Sequence, residues 1–226
     1  MANKIITPAV PNIPLGPEQY ERRYQDQFTN VLRLYFNQIK NALALLFGPL
    51  GGQYLNFPYV AASDSTTQYA TANNTPTIIK WDTLSAGNGF TLNADSTATA
   101  LVSGLYKITY SLQFANTDNA AHDAIVWLRI NDSTPAYDVA DSSTIFTLPA
   151  RKSAGVASYL CGYSEVVFPL KAGDTVGLWW GTDAAASSGG ALGVYIYAQA
   201  AQTSPMAYPA TPSAIGSITF VSSLPA

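Results

Sequence analysis

Hydrophobic and polar residues alternate along 106–115: Tyr106, Ile108, Tyr110, Leu112 and Phe114 fall on one side, and Lys107, Thr109, Ser111, Gln113 and Ala115 on the other. A period of two marks a strand with one buried face, because successive side chains of an extended chain point in opposite directions. Ser103 and Gly104 come just before, and the glycine is expected to form the turn into the strand. Segments of similar character recur at short intervals, at 77–82, 90–92, 98–102, 124–131, 144–148, 157–168, 175–180 and 192–199. Turn formers separate them, among them Gly87, Asn88 and Gly89, then Asn131 and Asp132, then Gly173 and Asp174. Short strands with no helical pattern between them predict a mainly β fold, an antiparallel sandwich.

Ahead of these strands the period changes. Tyr20, Tyr24, Phe28, Val31, Leu32, Tyr35, Phe36, Ile39, Leu43 and Leu46 recur at helical spacing, while Glu21, Arg22, Gln25, Asp26, Asn30, Arg33, Asn37 and Lys40 occupy the opposite side. The pattern predicts one amphipathic helix over 17–48, opened by Pro17 and Glu18 and stopped by Gly48 and Pro49. Its apolar stripe either lies on the core of its own domain or packs on symmetry copies. An imperfect heptad through Tyr24, Phe28, Val31 and Tyr35 gives the second reading slight support.

The remaining segments connect and extend. Residues 1–16 carry Pro8, Pro11 and Pro14, which rule out helix and central strand and predict an extended arm ordered by a neighbouring subunit. Residues 49–67 read as a linker with Tyr54, Phe57 and Tyr59 as anchors, and 68–202 as the knob. The tail, 203–226, carries Pro205, Pro209, Pro212 and Pro225 around an apolar segment, 215–221, suited to adding as an edge strand to another element.

Composition sharpens this picture. Of the 226 residues 48% are hydrophobic and only 11% are charged, well below the about 25% usual in soluble domains, so much of the surface is small and polar and suits subunit contacts. A net charge of −3 with no basic cluster argues against a nucleic-acid surface. Cys161 stands alone, so no intrachain disulfide forms, and it reads as a buried structural thiol. The first sixteen residues lack the pattern of a signal peptide, and the apolar run 42–50 is far too short to span a membrane; a soluble protein made in a cytoplasm is expected.

Two stretches resemble known families. Ser103, Gly104, Leu105, Tyr106, Lys107, Ile108, Thr109 and Tyr110 resemble the glycine-leucine-tyrosine strand of the complement-type and tumour-necrosis-factor-like jelly roll. Val167, Phe168, Pro169, Leu170, Lys171, Ala172, Gly173, Asp174, Thr175 and Val176 resemble the turn into its penultimate strand. The resemblance covers about 68–202 and implies a homotrimer, with Tyr195 and Tyr197 at the position that lines its axis; many tyrosines and few charges extend the expected trimer interface to Tyr110, Tyr159 and Tyr163. No acidic cluster matches the calcium sites of some complement-type heads, so no metal and no cofactor is carried over.

At the front, Asn12, Ile13 and Pro14 followed by Tyr20, Tyr24 and 32–38 look like the opening of virion structural proteins of short-tailed phages. That resemblance implies a knob mounted on a virion. Tyr24, Phe28, Val31, Leu32, Tyr35, Ile39 and Leu43 would dock it on the major capsid protein or on portal or tail proteins.

Candidate chemistry is sparse. His122, the only histidine, sits beside Asp123 in a polar turn with no Gly-x-Ser-x-Gly elbow, and reads as a solvated loop residue. Asp95, Asp118, Asp132, Asp141 and Asp183 sit in turns, where aspartate is first a turn former, although converging carboxylates could still cleave a glycoside. Trp179 and Trp180 must face opposite sides of a strand, one in the core and the other on an outer face or subunit contact. The sequence therefore predicts a non-enzymatic virion protein, a trimeric jelly-roll capsid decoration of the cement or head-fibre type. The alternative is a tail-fibre or receptor-binding knob that recognises a host surface glycan through these tryptophans and the loop 183–190.

Overall fold

The computed structural model describes residues 8–13, 18–47, 57–131 and 137–224. Contacts divide the chain between residues 56 and 57 into two units. The first contains one helix, α1 (Arg22–Phe47). It begins later than the proline rule predicts: Glu18 and Gln19 lie in a bend, and the first helical bond runs from the Gln25 N–H to the Glu21 carbonyl. Pro17, Gly48 and Pro49 lie outside the described residues.

The second unit holds the strands, in chain order β1 (Tyr59–Asp64), β2 (Gln68–Tyr69), β3 (Thr77–Ile78), β4 (Thr83–Asn88), β5 (Phe90–Leu92), β6 (Ala98–Ala100), β7 (Gly104–Asn116), β8 (His122–Ile130), β9 (Tyr137–Leu148), β10 (Ser158–Leu170), β11 (Thr175–Thr182), β12 (Val194–Ile196) and β13 (Ala214–Ser222). They form two antiparallel sheets, a jelly-roll sandwich. In the second sheet β8 lies between β9 and β11, and β6 and β3 share the far edge of β11.

The first sheet is built on β7. β10 pairs along its whole length, from Ser158 opposite Asn116 to Leu170 opposite Gly104. Its other edge is left to two strands laid end to end, β13 beside 105–112 and β12 beside 114–116. β1 and β2 continue outward from β13 and β12, and β4 closes beyond β1.

This arrangement corrects the boundaries read from sequence. The knob is not confined to 68–202, because β1 falls in the expected linker and β13 in the expected tail. β13 is an interior strand of its own domain, paired on both edges, rather than an edge strand offered elsewhere. Glycines make the fit possible. A Cβ on Gly104 would stand 2.5 Å from the Phe220 ring, and one on Gly216 would stand 2.7 Å from Trp81. Gly104 therefore makes room for β13 rather than turning the chain. Phe220 then packs edge-on to Tyr106 at 5.7 Å and stacks on Phe57 at 5.9 Å.

Between the sheets, Tyr106, Ile108, Tyr110, Leu112 and Phe114 of β7 meet Val126, Leu128, Leu178 and Trp180 of the facing sheet in one apolar core. Phe114 lies 6.0 Å from Trp180 and presses on β10 where Gly162 lacks a side chain; a Cβ there would come within 2.8 Å of its ring. The interior leaves a cavity of only about 50 Å³, bordered by Ile108, Leu128 and Leu178. A cavity of roughly 150 Å³ is what takes a ring such as benzene, so this one is too small for an organic ligand.

Candidate functional site

The outer face of the first sheet is where the expected interface residues must be judged. Alternation along β7 turns Tyr110 inward with Ile108 and Leu112, and it is 3% exposed. A side chain so placed has no surface to offer a partner subunit, so Tyr110 is a core residue and not an interface residue. Burial pushes its phenol pKa up. Tyr195 has the opposite parity. It pairs with Ala115 on one side and Tyr69 on the other, and its ring stands outside the sheet. The Tyr197 N–H bonds to the Gln113 carbonyl, keeping its ring on the same outer face.

These two tyrosines belong to a larger cluster. Tyr69 stacks on Tyr195 at 5.5 Å, Tyr195 meets Tyr197 edge-on at 6.0 Å, and Tyr197 lies 5.5 Å from Tyr159 of β10. Ala115 stands between Tyr159 and Tyr195 and is wholly covered by its neighbours. Partial burial raises the pKa of Tyr195 and of Tyr197, and the neighbouring phenols add to the effect, so both stay neutral near pH 7. Tyr163, 59% exposed, and Ile215 continue the apolar band toward β13, in one cross-strand row through Ser111. Cys161 also faces outward here, exposed beside the Ser111 hydroxyl at 3.3 Å, and is not the buried thiol expected. Among the described strand residues on this face the charges are Lys107 and Glu165, which pair with each other at 3.4 Å.

The outer face of the second sheet is organised differently. Trp180 is fully buried against Phe114, so it cannot be a ligand-contacting aromatic. Trp179 does face outward, opposite Trp127 and Ile78 on the flanking strands. Its ring is covered by the Arg129 guanidinium at 4.0 Å, and its indole N–H is buried without an acceptor. Arg129 is fixed in turn by Asp138, through Nε–H to Oδ1 at 2.7 Å and Nη2–H to Oδ2 at 3.1 Å. The Trp127 indole N–H donates to the same Oδ1 at 2.8 Å. The aromatics of this face are thus held by charged groups, Trp127 by its bond to Asp138 and Trp179 under the Arg129 guanidinium. Beside Trp127 a groove of about 300 Å³ opens toward Asp123 and Asp183.

At the end of β8, His122 is not a solvated loop residue. Its Nε2 lies 2.9 Å from Asp118 Oδ2 and its Nδ1 lies 3.2 Å from Asp183 Oδ2. Two carboxylates on two ring nitrogens call for the imidazolium, the only form that donates from both. Burial opposes that charge, but the bonds to Asp118 and Asp183 outweigh it and raise the pKa above the usual 6.5. Every described carboxylate whose pKa is displaced (Asp82, Asp95, Asp118, Asp138 and Asp183) is displaced downward. A catalytic acid needs the opposite. Asp95, for example, is held by the Thr97 N–H and hydroxyl, as a turn former should be.

In α1 the expected docking residues share one side. Tyr24, Phe28, Val31, Leu32, Tyr35 and Ile39 are half-buried and Leu43 is exposed, with Tyr24 and Phe28 stacked at 6.1 Å. No described helix is long and apolar enough to cross a membrane. Sequence reasoning passed over Tyr69, Trp127 and Asp138. Tyr69 lay in an unrecognised two-residue strand, while Trp127 could have been found from its outward parity in the 124–131 alternation.

No family model matches the chain, and no curated protein matches it. Among solved structures, Eiger TNF from S. frugiperda is similar at 10% identity with a TM-score of 0.48, over 76% of this chain and 97% of that one.

Proposed function

We propose that the chain is a non-enzymatic structural protein of a phage virion: a homotrimeric jelly-roll knob that decorates the capsid, associating through the outer face of its first sheet. The single observation that carries the assembly is the uncharged tyrosine cluster of Tyr69, Tyr159, Tyr195 and Tyr197. Tyrosine combines a large apolar ring with a hydrogen-bonding tip, the combination that anchors protein interfaces. Three copies meeting around an axis would cover this band.

Attachment falls to the other unit. The helix α1 carries an apolar stripe along one side, and such an amphipathic helix suits a groove on the major capsid protein or on a portal or tail protein. The likeness of 12–14 and 32–38 to virion proteins of short-tailed phages supports a virion over other particles. The test is co-sedimentation with purified particles. The full chain should bind and the chain lacking residues 1–48 should stay in the supernatant as a trimer; equal binding by both would overturn the docking role of the helix.

A further inference from the structure

We infer that the groove on the outer face of the second sheet is a binding site for an uncharged oligosaccharide, with Trp127 as its stacking surface and Asp123 and Asp183 as its hydrogen-bond acceptors. The site lies on the sheet opposite the tyrosine cluster and does not depend on the virion assignment. Its volume, about 300 Å³, is at the lower end of the range for ligand pockets, about 300–1,000 Å³, and fits a short sugar chain rather than a folded partner.

The stacking surface is prepared in advance. The Trp127 indole N–H is tied to Asp138 at one edge of the ring. On the neighbouring strand, a Cβ on Gly181 would touch the ring, 3.9 Å from Cη2. The glycine leaves that part of the ring uncovered, whereas Arg129 lies over the neighbouring Trp179. An indole face is electron-rich and apolar, and takes the polarised C–H face of a pyranose well.

The polar end is fixed as well. Asp123 Oδ1 accepts from the Thr147 hydroxyl at 2.7 Å. Asp183 Oδ1 accepts from the Asp123 N–H at 3.1 Å, and its Oδ2 bonds to His122. A carboxylate accepts about four hydrogen bonds, so both keep capacity for sugar hydroxyls without side-chain reordering. Asn74, held in a left-handed turn with φ 54° by its N–H bond to the Thr182 carbonyl, closes the same end. Acceptors of negative charge select donors and repel acids. Neutral hexose and N-acetylhexosamine chains fit, and sialylated or sulfated ones do not.

The experiment is a glycan array probed with the full chain, carrying neutral hexose and N-acetylhexosamine chains beside sialylated and sulfated ones. Binding should be confined to neutral chains. Gly181→Val should lower it by about tenfold or more at an unchanged melting temperature, since the added side chain covers the ring from a strand position with ordinary backbone. Should the valine variant fail to fold, Asp123→Asn carries the same test with a several-fold loss. Binding confined to anionic glycans, no signal above background, or binding that neither groove variant lowers would overturn the proposal.

Discussion

The two outer faces of one sandwich differ in how their aromatics are held. On the first sheet, Tyr69, Tyr159, Tyr195 and Tyr197 rest on one another, and the paired Lys107 and Glu165 are the charges near them. On the second, Trp127 and Trp179 are fixed by Asp138 and Arg129. Rings held only by other rings leave apolar area for a partner to cover; rings held by charged groups have part of their surface already engaged, and present one prepared surface to a small ligand. The same strand parity produces both faces, so the difference lies in side-chain chemistry and not in the fold.

The largest way to break this comparison is to remove the strand on which the first face depends. Deleting 213–226 takes out β13, exposes an edge of both β7 and β1, and removes Phe220 from its place over Gly104. The loss should exceed the about 5–15 kcal/mol that holds a domain together, leaving an insoluble or noncooperatively melting chain. Retention of a sharp thermal transition would return the tail to the role of an appendage.

Next comes charge placed on each face. Tyr195→Glu with Tyr197→Glu should leave a folded monomer, because a symmetric interface would bury every introduced carboxylate at once. Ile125→Glu with Ile145→Glu, an exposed cross-strand pair on the second face, should leave the mass unchanged. Dissociation by the second pair, or survival of the trimer with the first, would reverse the roles of the faces.

Smaller effects separate the adjacent tryptophans. Trp180→Ala should cost about 3–5 kcal/mol, as expected for a buried aromatic truncated in a core. Trp179→Ala should cost about 1 kcal/mol, chiefly its contact with Arg129. Denaturant melts of the two variants measure the gap.

The smallest effect is pH-dependent. The raised His122 pKa means that its stabilisation is fully present below about pH 6.5, its ordinary value, and fades as pH rises through the raised one. Asp118 and Asp183, displaced downward, contribute above their ordinary 3.8 and lose that contribution as pH falls through the lowered values. Arg151 assists Asp118. The clamp is therefore strongest from about pH 4 to about pH 6.5. The melting temperature should drift downward from about pH 6 to about pH 8, and His122→Gln should abolish that drift; a drift that persists would assign it to other groups.

The sandwich was legible because alternation in 106–115 and 157–168 is a local signal. What escaped was set by distant contacts. β1 was lost in an apparent linker and β2 just beyond it, since pairing with β13 and β12, and not their own propensity, makes them strands. The apolar run 215–221 was visible as a strand, but its insertion between β1 and β7 depends on Gly104 and Gly216, whose partners lie about a hundred residues or more away in sequence. Parity placed Tyr110 on the inward side of β7 correctly, and its expected trimer contact conflicted with that placement. His122 was misread because Asp183 reaches it from another strand.

The most direct test of the central claim is the mass of the purified full chain in solution, by light scattering, beside the Tyr195→Glu, Tyr197→Glu variant. A mass of three chains for the native protein and of one folded chain for the variant is the predicted result. A monomeric native protein, or a variant that remains trimeric, would contradict assembly through the tyrosine face.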